Sequence, residues 1–210
     1  MDAMIALPAE LTLLAPIELD EPAVAARLER YRAALPGARV RLRNLPDAGR
    51  LPRRLDTAAA IAEVSDAVAP LIADSPGGEV MADCMLDPGA ETSPAPGLFG
   101  LLARALAADG ETVVVASRNA AMRDRMAWLV EHYGVGETCA EALDLRIGPE
   151  RAFDAEAWTA AIAGLRERGE TRPVLACCTG VEFAEAVRER LAILTPYDVL
   201  RRVAIRTADD

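Results

Sequence analysis

Gly78-Glu79-Val80-Met81-Ala82-Asp83-Cys84-Met85-Leu86-Asp87-Pro88-Gly89-Ala90 opens on a short apolar run, reaches a cysteine, and breaks at a turn forced by Asp-Pro-Gly. Further along the chain the pattern returns as Pro173-Val174-Leu175-Ala176-Cys177-Cys178-Thr179-Gly180. Each segment reads as a buried strand that delivers a thiol at its carboxyl end, with a helix to follow. In open parallel α/β sheets that edge is where ligands bind. Two thiols presented in this way predict a site with one cysteine on each side of it.

The neighbouring segments fit such a sheet. Leu11 to Ile17 is a short apolar run with Pro16 near its end. Asp20 can cap a helix whose apolar face is Val24, Leu28, Tyr31 and Leu35. Arg39 to Arg43 alternates strictly, the mark of a strand near a sheet edge, with its arginines on a solvated face. Thr57 to Ala73 reads as a helix that Pro70 should kink or shorten. Leu98, Leu101, Leu102 and Leu106 form another helical face, and Thr112 to Ala116 reads as a strand covered on both sides. Asn119 caps a helix carrying Met122, Met126, Leu129 and Tyr133; Leu143, Leu145 and Ile147 alternate as a strand; Asp154 caps a helix bearing Trp158, Ile162 and Leu165. After the Cys178 strand come a helix with Phe183, Val187 and Leu191, a short apolar Ala192–Thr195, and a last helix opening at Pro196.

Strands alternating with helices from end to end predict an α/β fold with parallel sheets flanked by helices. The matched pair of cysteine-terminated strands predicts two pseudo-symmetric lobes with the active site in the interlobe cleft. Pro94-Ala95-Pro96 is the expected crossing, which places residues 1–95 plus 192–210 in the first lobe and 96–191 in the second.

Composition narrows the function. A chain of 210 residues, 52% of them hydrophobic, is long enough to bury a sizeable core. Its net charge of −10 and scattered arginines argue against nucleic acid or an anionic membrane as partner, and for a small molecule. No apolar run approaches the roughly 20 residues needed to span a bilayer. The beginning of the chain carries Asp2 and no basic region, so a cytoplasmic protein is expected, with its four cysteines reduced. No Cys-x-x-Cys spacing suggests a metal site, and neither a Gly-x-Gly-x-x-Gly nor a Gly-x-x-x-x-Gly-Lys motif is present. Cys139 follows Gly134-Val135-Gly136 and reads as a surface thiol in a loop.

The segment Cys84-Met85-Leu86-Asp87-Pro88-Gly89 resembles the Cys-x-x-Asp-Pro-Gly stretch of hydantoin racemases, in the aspartate/glutamate/hydantoin racemase superfamily. Cys178-Thr179-Gly180-Val181 resembles that superfamily's second cysteine motif, although Cys177 stands where relatives usually have glycine. The resemblance implies a racemase or epimerase that needs neither metal nor pyridoxal cofactor. Its catalytic pair would be Cys84 and Cys178, acting on an amino acid or a hydantoin-like compound. Pro16, Met85, Leu86, Ser117, Arg118, Thr179 and Gly180 are the candidate substrate-binding residues, the hydroxyls of Ser117 and Thr179 and the N–H groups of the turn after each cysteine being the available donors to an enolate. The first strand departs from the superfamily pattern: Ala15-Pro16-Ile17-Glu18 stands in place of an Asn-Pro or Asp-Ser pair, leaving Arg118 as the candidate for carboxylate recognition. A homodimer or larger ring is expected by analogy alone.

The chemistry suits two thiols. Inverting a carbon beside a carbonyl requires removing a weakly acidic proton from one face and returning one to the other, which two bases do and one does not. A free thiol has a pKa of about 8.5, which a helix N-terminus can lower towards neutrality. Strand alternation sets Cys177 and Cys178 in opposite directions, so that Cys177 faces the packing side if Cys178 faces the cleft. Asp87, followed by Pro-Gly, is expected to form the turn rather than act as a catalytic carboxylate. The same fold also suits a decarboxylase or a cis–trans isomerase of a dicarboxylic acid. A binding protein that has lost the reaction is the alternative from a different class.

Overall fold

The computed structural model describes residues 8–75, 79–93 and 95–209, the side chains of 205–209 excepted. Gly78, at the head of the first cysteine segment, and Pro94, half of the expected crossing, lie outside the described residues. Two all-parallel sheets are present. The first has the order β2-β1-β3, from Glu10–Ala15 (β1), Arg39–Asn44 (β2) and Val80–Ala82 (β3). The second has the order β5-β4-β6-β7, from Val113–Ser117 (β4), Cys139–Asp144 (β5), Val174–Ala176 (β6) and Ile193–Leu194 (β7). Seven α-helices connect the described strands: Glu21–Ala34 (α1), Ala58–Ala73 (α2), Leu98–Ala108 (α3), Ala120–His132 (α4), Ala155–Glu167 (α5), Glu185–Leu191 (α6) and Pro196–Asp209 (α7).

Local chemistry accounts for the boundaries. Asp20, Thr57, Asn119 and Asp154 accept hydrogen bonds from first-turn N–H groups, so α1, α2, α4 and α5 begin where a side-chain oxygen can satisfy them. Pro70 lies inside α2, which runs past it to Ala73 and is not shortened. β4 is buried along its whole length and β2 alternates between exposed and buried residues, as their central and edge positions require.

Alternation along the two central strands sorts the core into three layers. Leu11 and Leu13 of β1, with Val113 and Val115 of β4, face one shared interior filled by Tyr31 of α1, Leu102 and Leu106 of α3, and Leu200 and Val203 of α7. Leu14 and Ala82 turn the other way, onto Val64, Val68 and Ile72 of α2. Val114, Ala116 and Ala176 turn onto Trp158, Ile162 and Leu165 of α5. The two sheets thus share a central helical layer, and each has its own outer one.

Three expectations are corrected in detail. The segment 192–195, assigned above to the first lobe, contains β7, which pairs with β6 in the second sheet; the C-terminal helix α7 packs on α1 and α3. The fifth strand is Cys139–Asp144, earlier than the 143–147 alternation suggests, because its pairing with β4 begins at Val113 opposite Cys139. Cys139 is therefore a buried strand residue, 1% exposed, and not a surface thiol. No helix among the described residues is long and apolar enough to cross a membrane.

Candidate active site

A cavity of about 430 Å³ lies beyond the carboxyl ends of both sheets. Pro16 and Ile17 reach it from the end of β1, Asp83 to Leu86 from the end of β3, Arg118 from β4, and Cys177 to Thr179 from β6. Arg53 to Leu55 and the Pro149–Phe153 segment complete its rim, with Trp158 behind them. Of the residues named from sequence, Cys84, Cys178, Pro16, Met85, Leu86, Arg118 and Thr179 line it.

Ser117 and Gly180 are not among the lining residues. Ser117 is fully buried on the strand, and its hydroxyl, facing the Cys177 thiol, has no hydrogen-bond partner of normal geometry among the described residues. Gly180 stands just behind the wall. A methyl group there would come within 2.6 Å of the Phe153 ring and 3.0 Å of Arg27 Nη2.

Cys84 and Cys178 are half-buried. Cys84 stands in a bend beyond β3 and Cys178 between bends beyond β6, and no helix begins directly after either of them. The expected helix-terminus effect is therefore replaced by a few backbone donors: the N–H of Leu86 faces the Cys84 sulfur, and those of Gly180 and Val181 face Cys178. Burial outweighs them. It pushes the Cys84 thiol up to about 12, with Asp83 and Asp87 adding to the rise. Cys178 is also raised by burial, against the pull of those two N–H groups and of Arg27. Cys177 is 2% exposed and packs into the central core, as strand alternation requires, while also closing the cavity floor.

Sequence reasoning missed the buried ionic frame around the thiols. Arg27 of α1 donates to Asp83 Oδ2 at 2.6 Å and to Thr179 Oγ1 at 3.3 Å, and the Tyr31 hydroxyl donates to Asp83 Oδ1 at 2.7 Å. Burial disfavours the Arg27 charge, but the Asp83 ion pair prevails and holds its pKa above the ordinary value. Tyr197 of α7 donates to the Thr179 carbonyl at 2.9 Å. One connected network therefore joins both cysteine segments to two helices of the central layer. A signal existed for Arg27: it lies one helical turn before Tyr31, beside the apolar face of α1.

Arg118 does line the cavity, but its guanidinium is taken by Asp56, which also accepts from Asn119 Nδ2 at 3.1 Å. Asp87 forms its turn with φ of 40° and does more besides. Its buried carboxylate accepts from the N–H groups of Phe99 and Gly100 at 2.8 and 2.9 Å and from the Tyr133 hydroxyl at 3.0 Å. It thereby caps α3, whose own N-cap residue, Gly97, has no side chain. Among the described residues no group of three or more His, Cys, Asp or Glu side chains is placed to hold a metal ion.

No protein-family model matches the chain, and no curated protein matches it. Solved structures do share its fold. An allantoin racemase from Klebsiella pneumoniae is similar with a TM-score of 0.68 and 14% sequence identity, over 96% of this chain and 88% of that one. An allantoin racemase from Pseudomonas fluorescens is similar with a TM-score of 0.65, also at 14% identity, over 95% of this chain and 91% of that one. The α/β fold with two helix-flanked parallel sheets is the one these racemases have.

Proposed function

We propose that the protein is a cofactor-independent racemase or epimerase of the aspartate/glutamate/hydantoin racemase superfamily, with Cys84 and Cys178 as its acid–base pair. The observation that carries this reading is that the two thiols occupy equivalent places beyond β3 and β6 and both line one cavity. The fold shared with allantoin racemases supports it.

In the reaction, one cysteine as thiolate removes the proton from the carbon beside a carbonyl, leaving an enolate. The opposite cysteine, as thiol, returns a proton to the other face. The product is the mirror-image centre, with the two protonation states exchanged. The N–H groups of Leu86, Gly180 and Val181 hold the charged sulfurs. Excluding water strengthens each of these interactions.

A hydantoin-like ring suits the cavity better than a free amino acid. The two buried arginines that line it, Arg27 and Arg118, are each already matched by an acid, Asp83 and Asp56, and the other two, Arg53 and Arg54, stand on its exposed rim. Much of the remaining wall is apolar or aromatic, including Pro16, Ile17, Met85, Leu86, Phe153 and Trp158. That surface fits a neutral planar ring.

Incubation of single enantiomers of 5-substituted hydantoins and of allantoin in deuterium oxide tests this. Loss of optical activity together with deuterium at the stereocentre is the expected result. Stable optical rotation for hydantoins, allantoin and amino acids alike would refute it.

A further inference from the structure

We propose that Arg27 polarises Cys178, so that the second-half thiol is the more readily ionised of the two in the free protein and Cys84 is the resting proton donor. The inference rests on the assignment of Cys84 and Cys178 as the acid–base pair and adds an order to it.

The two halves present their thiols in the same place but surround them differently. Near Cys84 the charged groups are carboxylates, Asp83 and Asp87, both of which oppose a thiolate. Near Cys178 there is a cation. Arg27 is 6% exposed, lines the cavity, and is fixed from two sides by Asp83 and Thr179. Its Nη1 is taken by those partners, while its Nη2 is turned to the Gly180 bend whose N–H also faces the Cys178 sulfur.

The other charged or titratable groups facing Cys178 are Asp83 and Cys84 beyond β3, the adjacent Cys177, and Tyr197 from α7. Glu150 and Asp154 line the same cavity from the other side. Arg53, Arg54 and Arg118 line the cavity too, Arg118 held by Asp56, but Arg27 is the cation that acts on Cys178, and its pull there exceeds the opposing push of Asp83. Cys178 receives two backbone donors and Cys84 one. All of these differences act in one direction.

Asp83 and Thr179 make Arg27 a positioned cation and not a mobile one. A neighbouring opposite charge favours the ionised form of a thiol, typically by a factor of about ten or more. The Asp83 charge offsets part of this, which leaves about a tenfold change in thiolate population for the loss of Arg27.

The test is iodoacetamide alkylation of the full chain from about pH 6 to about pH 9, followed cysteine by cysteine by mass spectrometry. Cys178 should react faster than Cys84 in the unmodified protein. Because Arg27→Gln alone leaves Asp83 buried without its partner, the decisive variant is Arg27→Gln with Asp83→Asn. It should slow Cys178 about tenfold at neutral pH and shift its pH profile upward, while Cys84, freed of one opposing carboxylate, reacts no more slowly than before. Arg27→Lys should keep most of the Cys178 rate.

Faster labelling of Cys84 in the unmodified protein overturns the proposal. So does an unchanged Cys178 rate in the double variant, or an equal slowing of both cysteines. The labelling does not depend on turnover. If Cys178 shows the Arg27 dependence while no substrate is racemised, the proposed function falls and the role of Arg27 stands.

Discussion

Asp83 and Cys177 occupy the same place in the two halves of the fold. The Asp83 N–H donates to the Leu14 carbonyl at 2.8 Å, and the Cys177 N–H donates to the Ala116 carbonyl at 2.8 Å, each just past the last paired residue of its strand. The correspondence continues on both sides. Thr12 donates to Glu79 as Val114 does to Pro173, and Leu45 donates to Ala15 as Leu145 does to Ser117. In this register the residue after Asp83 is Cys84 and the residue after Cys177 is Cys178. This correspondence equates the two candidate bases while setting an acid before one and a thiol before the other. That inequality lets one buried arginine discriminate between them.

Equivalent placement at one cavity makes single substitutions informative. Cys84→Ser should abolish racemisation, since a serine hydroxyl is far too weak an acid to serve as the base. It should leave proton exchange on the one enantiomer that faces Cys178. Cys178→Ser should show the opposite handedness, and Cys177→Ser should retain most activity. Deuterium wash-in measured on each pure enantiomer checks all three. Loss of activity in Cys177→Ser with Cys178→Ser unaffected would move the assignment to Cys177.

Periodicity made the scaffold readable from sequence. The unbroken apolar run at Val113–Ala116 demands cover on both faces, and the Arg39–Arg43 alternation demands an edge. The cysteine pair was readable because each thiol ends an apolar run. What surrounds the thiols was not. Asp-Pro-Gly and Thr-Gly consume the chain in bends, so neither sulfur meets the helix terminus that a strand–helix reading supplies. Asp56 sits in a loop with no periodicity, and only the tertiary fold brings it to Arg118. Cys139 follows two glycines that signal a loop, yet its pairing with Val113 draws it straight into a strand.

That burial of Cys139 has a measurable signature. Burial pushes its thiol up to about 12 from an ordinary value of 9.0. The folded state therefore holds this proton more tightly than the unfolded state. The resulting stability is fully present below about pH 9 and is lost as the pH rises towards 12. Urea unfolding in reducing buffer should show stability falling over that window, and Cys139→Ala should lessen the fall by its own share, the other buried thiols keeping theirs. The same variant should lose roughly 1 kcal/mol at neutral pH through the space left in the core.

Gly180 tests the wall of the cavity. An added methyl would meet Phe153 at 2.6 Å and Arg27 at 3.0 Å. Phe153 is 54% exposed and can swing outward, whereas Arg27 is held by Asp83. Gly180→Ala should therefore cost little stability, about 1 kcal/mol, and raise KM as Phe153 leaves the rim. Combining it with Phe153→Ala should be non-additive, because one substitution removes the atom that the other collides with. Strict additivity in stability and in KM would show that the two residues do not meet.

Asp87 carries the strongest pH prediction. Its carboxyl is raised from 3.8 to about 6, first by burial, against the pull of the Gly100 and Phe99 N–H groups, Tyr133 and Arg125. Folding therefore favours the protonated acid, and its contribution is largest below about pH 4 and is lost as the pH rises through 6. Stability should decline across that window by up to roughly 3 kcal/mol from this group alone. Asp87→Asn removes the titration, so urea unfolding between pH 4 and pH 7 should lose this component of the decline. The amide accepts through one oxygen only, and its NH₂ must face a donor where the carboxylate faced Phe99 or Gly100. At neutral pH the variant therefore trades relief from a buried charge against an unsatisfied N–H, a loss of about 1–3 kcal/mol. The slope identifies the group more cleanly than the midpoint does. An unaltered pH slope in Asp87→Asn would mean that another carboxylate governs the transition.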